Sequence, residues 1–321
     1  MIHPLKFQPI LKERLWGGTK LKEVLDKPIA SDITGESWEI STVKGDVSIV
    51  ANGNLANSSL QDLIDKYPKE LLGKSVVERF GKEFPILIKF IDAKQDLSIQ
   101  LHPNDALAKQ RHDSFGKTEM WYIMDAGQDA NLIVGFNRDV TKEEYSKSLE
   151  KNRLPELLNY EKVKEGDTFF INTGKIHAIG AGVLLAEIQQ TSDVTYRVFD
   201  FNRKDKNGNL RELHTELALD AIDYKRRDDF KVHYSEAKNN VNEMVNCPYF
   251  KTNFLDLNAD MRQDTKNRDS FTIFMCVGGD AVIKTAEGVV SIKKGETILI
   301  PAMTTKIEIS TSNVKLLEVT I

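Results

Sequence analysis

Cysteine is nearly absent from this chain. Its two copies in 321 residues, Cys247 and Cys276, form no CxxC and no disulfide framework. A chain of this length buries enough apolar surface to do without such staples, and it is comfortable as two domains. An excess of one charge is missing too. The net charge is −4, with both signs mixed throughout and no basic stripe, so nucleic acid is not an expected partner. No apolar run approaches the roughly 20 residues of a membrane helix. The Met1-Ile2-His3-Pro4-Leu5-Lys6 segment lacks a long apolar signal core. The expectation is a cytoplasmic protein in a reducing compartment, without a membrane partner. Nothing in the pattern speaks to oligomeric state. Histidine is also scarce, with six copies and none after His233.

What is present reads mostly as short strands broken by Gly, Asn and Asp. Ser58-Ser59-Leu60-Gln61 has the form of a capping box, and Leu60, Leu63, Ile64 and Tyr67 follow at helical spacing. Residues 84–91 are a nearly continuous apolar run, the mark of a strand buried on both faces. Residues 97–102 alternate instead, putting Ser98, Gln100 and His102 on one face and Leu97, Ile99 and Leu101 on the other. Polar side chains gathered on an inward face are costly unless something satisfies them. Further strands are expected over 120–124, 131–136, 168–172, 183–189 and around Arg197. Helices are expected over 141–160, broken near Pro155, and over 210–222.

A second unit is expected from residue 239, with strands over 271–277, 281–284, 288–292, 297–300 and 314–320. Its segment 294–302 echoes 164–172: a turn with Gly and an acid, then an apolar strand, then a loop. The expected fold is therefore mainly β, two cupin or jelly-roll β-barrels with a few short helices. Residues 1–238 are expected to form the first unit and 239–321 a second barrel. His177 follows the first echo segment, whereas Pro301-Ala302-Met303 follows the second, so the second barrel is expected to hold no metal.

Gln100 and His102, at i and i+2, point to one side of a strand; Glu119 begins the next strand, and His177 follows the Gly166 turn. Two imidazoles and a carboxylate suit zinc, and also iron, nickel or manganese. Taken singly, each histidine reads as readily as a packed core residue. Arg197 reads as either a surface salt bridge or a site residue. Lys117, Arg197 and Arg203 beside a metal would make a positive pocket fit for a phosphate or sugar phosphate. Trp16 and Trp38 read as cleft lining or as packing.

Several segments together resemble the signatures of type I mannose-6-phosphate isomerases. They are Ile99-Gln100-Leu101-His102-Pro103-Asn104-Asp105, Gly116-Lys117-Thr118-Glu119-Met120-Trp121-Tyr122 and His177-Ala178-Ile179-Gly180-Ala181-Gly182, with residues 187–200, Arg14-Leu15-Trp16-Gly17-Gly18 and Gly35-Glu36-Ser37-Trp38-Glu39. The matches run in family order over about residues 5–235. The resemblance implies a cupin-type enzyme with one zinc ion, interconverting mannose 6-phosphate and fructose 6-phosphate through an enediol. It implies Gln100, His102, Glu119 and His177 as zinc ligands and Arg197 as the catalytic arginine. Lys117 and Glu187 fall on active-site positions, and Ser98 and Arg203 fall near the phosphate. Arg203 departs from the family, which often has lysine there. The segment between Glu119 and His177 has room for only a pair of short helices, as in the short bacterial form. Glu187 and zinc-bound water both remain open as the base. Rival readings are an isomerase of another aldose phosphate, a non-haem iron oxygenase built on the same two histidines and carboxylate, and a non-catalytic sugar-phosphate sensor.

Overall fold

The computed structural model describes residues 2–204 and 207–321. The first unit is built on two antiparallel sheets. One has six strands in the order Ile10–Gly18, Thr34–Ile40, Ile86–Ala93, Val183–Gln190, Glu119–Ala126, Thr168–Ile171. The other has five in the order Tyr196–Phe199, Ile99–Leu101, His177–Ile179, Asn131–Phe136, Leu158–Lys162. Between them lies a core that takes Ile91, Ile123 and Leu185 from the first sheet and Leu132, Val134 and Ile179 from the second.

Each sheet is also covered on its outer face. Helices Lys142–Glu150 and Thr215–Leu219 bring Tyr145 and Ala218 onto Ile133, Tyr196 and Val198 of the five-stranded sheet. The six-stranded sheet packs its other face on short helices within 60–80 and on the second unit. This is why the apolar run predicted as a doubly buried strand behaves as one: all eight positions of Ile86–Ala93 are buried. Ile86, Ile88 and Phe90 enter the outer core, and Ile91 and Ala93 the inner one.

The second unit is one seven-stranded antiparallel sheet. It is dominated by the long strands Thr272–Lys284 and Lys306–Thr320, which lie side by side over a core of Leu255, Phe274, Ile283 and Ile307. The two units are not independent. Their shared core joins Phe84, Ile88 and Met120 to Phe254, Phe271 and Leu317, and Phe84 stacks on Phe271 with ring centroids 4.8 Å apart. Leu5, at the start of the chain, exchanges both backbone hydrogen bonds with Leu299, at 2.8 and 2.9 Å.

The internal echo is a shared turn geometry. Gly166 (φ +90°) donates to Ile123 O, while Ile123 N donates back to Asp167 O, both at 2.9 Å. Gly295 (φ +87°) donates to Cys276 O at 2.8 Å, while Cys276 N donates back to Glu296 O at 2.9 Å. Mainly β architecture with few helices is what the sequence predicts, and four local expectations are corrected. The helix Leu60–Lys66 is capped by Ser59, not Ser58, through its hydroxyl and Asp62 N at 3.0 Å. Only Thr215–Leu219 of residues 210–222 is helical. Leu210 and Leu213 are exposed, and His214 pairs with the backbone of Arg197, so no apolar face holds a longer helix. Within 141–160 the helix stops at Glu150. Pro155 starts a single 3-10 turn, and Leu158–Lys162 becomes an edge strand on Asn131–Phe136. Residues 271–277 and 281–284 belong to one bulged strand, continuous because Lys306–Thr320 spans both.

The shared core makes a specific prediction. Phe271→Ala should cost about 3–5 kcal/mol, and calorimetry should still show a single unfolding transition. An early, separate melting of the C-terminal sheet would mean that the core is not shared in effect.

Candidate metal centre and its cavity

Cross-strand register assembles the site. On the five-stranded sheet Gln100 lies opposite His177 on one side and Arg197 on the other. On the six-stranded sheet a second row runs Trp38, Lys89, Glu187, Trp121. Both rows line one cavity of about 440 Å³, which opens between the sheets. Tight backbone approach shapes its rim: a Cβ on Gly17 would lie 2.4 Å from Gly35 N and from Ile33 O, so only glycine allows the neighbouring Trp16 to reach the cavity wall.

Lys89, Lys117, Glu119 and Glu187 are almost fully buried in this interior. Buried charges are tolerated only when paired. Glu187 has a hydrogen-bond donor on one oxygen and a close cation on the other. Lys89 Nζ lies 3.0 Å from its Oε2, and Trp121 Nε1 donates to its Oε1 at 3.0 Å. Burial alone would raise its pKa, but Lys89 and Lys117 outweigh burial and pull it down to about 2.

Glu119 is the opposite case. Lys117 Nζ is 3.2 Å from its Oε2, yet neither carboxylate oxygen makes a hydrogen bond of acceptable geometry. Burial pushes its pKa up to about 7, against the pull of Lys117. Beyond Lys117 stand His177 Nε2 at 3.5 Å and His102 Nε2 at 3.6 Å. Both rings are fixed from behind. His102 Nδ1 donates to Val194 O at 2.9 Å and His177 Nδ1 to Lys175 O at 2.8 Å. A carbonyl can only accept, so each Nδ1 carries the proton and each Nε2 presents a lone pair to Glu119. Burial holds both imidazoles neutral, His177 down to about 4 and His102 well below its ordinary value. His102, Glu119 and His177 thus offer three donor atoms within 4.8 Å of one another, with no proton among the imidazole nitrogens facing Glu119. Lone pairs pointed at lone pairs repel unless a cation sits among them, and this donor set fits a divalent metal.

Gln100 sits beside the trio. Its amide places nitrogen 3.5 Å from His177 Nε2 and oxygen 3.4 Å from Ser98 Oγ. Oxygen and nitrogen of an amide are near-isosteric, so rotating the group by 180° would turn an acceptor toward the trio. Ser98 Oγ also accepts from Arg197 Nε at 3.3 Å, which ties Ser98, Gln100 and Arg197 together.

Of the residues singled out from sequence, Trp16, Ser98, Gln100, Lys117, His177, Glu187 and Arg197 line the cavity. His102 and Glu119 lie behind its wall, each 1% exposed. Arg203 does not line it, because its guanidinium is taken up by Asp200 and the Asp96 carbonyl. Arg211, which the sequence reading left out, does line it and forks onto the buried Asp200 carboxylate. Lys89 was also missed. Its signal was a lysine in the middle of an otherwise apolar buried run.

The two facing sheets and the buried His-Glu-His donor set define the class, a two-unit cupin with a candidate metal centre in its N-terminal unit. Comparison with known proteins agrees. A family model for the type I phosphomannose isomerase catalytic domain matches residues 5–137, and one for the mannose-6-phosphate isomerase cupin domain matches residues 240–321. Mannose-6-phosphate isomerase ManA of Bacillus subtilis is 37% identical over 301 residues, 93% of each chain. A probable mannose-6-phosphate isomerase of the same organism, GmuF, is 44% identical over 74% of this chain and 73% of its own. The crystal structure of a mannose 6-phosphate isomerase from Bacillus subtilis superposes with a TM-score of 0.89 at 32% identity, covering both chains completely. The chain belongs to the type I phosphomannose isomerase family.

The Lys89–Glu187 pair predicts that Lys89→Met will cost about 3–5 kcal/mol, by stranding a buried carboxylate. Glu187→Gln in the same chain should return part of that loss. Because the folded pKa of Glu187 is depressed, its pairing stabilises the fold above about pH 4 and fades as pH falls through its folded value. Acid unfolding of Glu187→Gln should therefore depend less on pH in that window. Equal acid profiles would show that the pairing carries no linkage.

Proposed function

We propose that this chain interconverts mannose 6-phosphate and fructose 6-phosphate, with one zinc ion held by His102, Glu119, His177 and Gln100. The observation that carries the reading is the buried His102, Glu119 and His177 donor set, with His102 Nε2 and both Glu119 oxygens unsatisfied, beside a cavity lined by Arg14, Lys89, Lys117, Arg197 and Arg211. Three carboxylates, Glu36, Glu187 and Asp193, also line it. The excess of cations suits an anionic sugar.

An aldose–ketose exchange moves a proton between C1 and C2 through an enediol. When bound, the metal would supply a positive centre that draws charge from the sugar oxygens. The remaining work falls to side chains. Glu187 is ionised and faces the cavity, ready to take the proton. From its place in the cavity wall it would pass the proton on to the neighbouring carbon. Arg197, half-buried and oriented by Ser98 Oγ and the Glu212 carbonyl, stabilises the negative charge of the enediolate. Lys117 orients a sugar hydroxyl. Ser98 and Arg203 are assigned to the phosphate end, Arg203 from its place in the Asp200 cluster outside the cavity lining, and Trp16 offers its ring to the sugar. In the same reading residues 1–238 are the catalytic unit and 239–321 a barrel without a metal. The protein works in the cytoplasm on a small soluble substrate. No helix among the described residues is long and apolar enough to cross a membrane.

The deciding experiment measures metal content together with a coupled assay for fructose 6-phosphate formed from mannose 6-phosphate, before and after chelation. Turnover should vanish with the metal and return with zinc. Activity that survives full chelation would sink the metal reading. Glu187→Gln should lower kcat by roughly 10²–10⁴-fold while metal content holds. Near-normal turnover in Arg197→Ala would remove that arginine from its role.

A further inference from the structure

The segment carrying Lys117 and Glu119 begins outside any strand, so something must fix its backbone. Gln190 N donates to Thr118 O at 3.1 Å, and side chains do the rest. Gly116 N donates to Asp105 Oδ1 at 2.8 Å, and Thr118 N to Gln190 Oε1 at 2.8 Å. Gln190 Nε2 closes the triangle by donating to Asp105 Oδ1 at 3.1 Å. Asp105 follows His102 on the same short stretch, and Gln190 ends the strand that bears Glu187. One carboxylate therefore gathers the ends of the three segments that bear His102, Lys117 with Glu119, and Glu187. The seat is tight: a Cβ on Gly116 would lie 2.7 Å from Asp105 N.

The other oxygen of Asp105 is held from the second unit. Tyr249 Oη donates to Asp105 Oδ2 at 2.7 Å, across 144 residues of sequence. Tyr249 sits in the turn between strands Asn242–Asn246 and Lys251–Leu257, and its neighbour Phe250 is anchored in the core shared by both units. A phenol hydroxyl against a carboxylate must donate, and such a charge-assisted bond is short and directional. With Tyr249, Gly116 and Gln190 all donating, Asp105 has a single orientation open to it.

We propose that Tyr249, supplied by the C-terminal unit, is a positioning residue for the metal centre. Through Asp105 it fixes the backbone that aims Lys117 and Glu119. The inference rests on the reading of the site as a zinc-dependent isomerase, and it assigns the second unit a part in that site.

Tyr249→Phe removes the hydroxyl and keeps the ring. Zinc affinity, read by competition with a chromophoric chelator, should weaken about tenfold. The kcat for mannose 6-phosphate should fall about tenfold, with KM moving far less. Tyr234→Phe is the comparison. It also loses one tyrosine hydrogen bond, to Gly166 O at 2.7 Å, from a ring packed edge-on to Phe254. It should lower the melting temperature without touching zinc affinity or kcat. Asp105→Asn and the Tyr249→Phe/Asp105→Asn double variant complete a cycle, in which the double should be no worse than Asp105→Asn alone. Wild-type zinc affinity in Tyr249→Phe, or additive losses in the cycle, overturns the proposal. A wild-type protein that binds zinc but turns over no mannose 6-phosphate would fail the isomerase reading instead, while the chelator competition still decides the role of Tyr249.

Discussion

The structure depends on burying the Lys89–Glu187 pair between two sheets. Each partner would cost several kcal/mol if left alone in that interior. Their mutual attraction offsets the cost only while the distance stays short. Paired central strands supply that constancy, since Lys89 and Glu187 are direct cross-strand neighbours, and the flanking Trp38 and Trp121 share the same row. A loop would not hold the geometry. The fold is thus the means by which a carboxylate stays ionised in a dry place.

The two buried carboxylates have been given opposite surroundings. Glu187 is met by an ammonium and an indole N–H, and its proton affinity falls; Glu119 is met by imidazole lone pairs and one imperfectly aligned lysine, and its proton affinity rises. Environments that push paired acids apart divide the work between them. The group lacking donors on both oxygens is suited to a cation, and the one held ionised to facing the moving proton. Lys117 stands between the two and draws on both.

Much of the site was legible because strand periodicity is simple. Ser98 and Gln100 at i and i+2 do converge, with their polar atoms 3.4 Å apart. The mainly β character and the repeated Gly turn were legible from local pattern alone. The full helix over 210–222 was not, because Leu210 and Leu213 at its start have no partner surface, and His214 is claimed by Arg197. Arg211 was invisible for a related reason. An arginine in a polar loop looks like solvent-facing charge until Asp200, eleven residues earlier, is seen to turn it inward. Tertiary partners of that kind leave no periodic trace.

The C-terminal unit repeats the turn of the first but carries no histidine, so its retention calls for a physical reason other than metal binding. A six-stranded antiparallel sheet normally leaves one face wet. Here that face is covered, with Met120, Ala186 and Ile188 packed in one core with Phe254, Met275 and Leu317. Remove that cover, and the strands holding Lys89, Glu119 and Glu187 would have water on one side and freedom to flex. Rigidity of the ion pair, and hence the charge state of Glu187, therefore depends on a unit that contributes no side chain to the cavity. The cost of keeping about eighty extra residues ordered is offset by their own core and by the dry interior they complete.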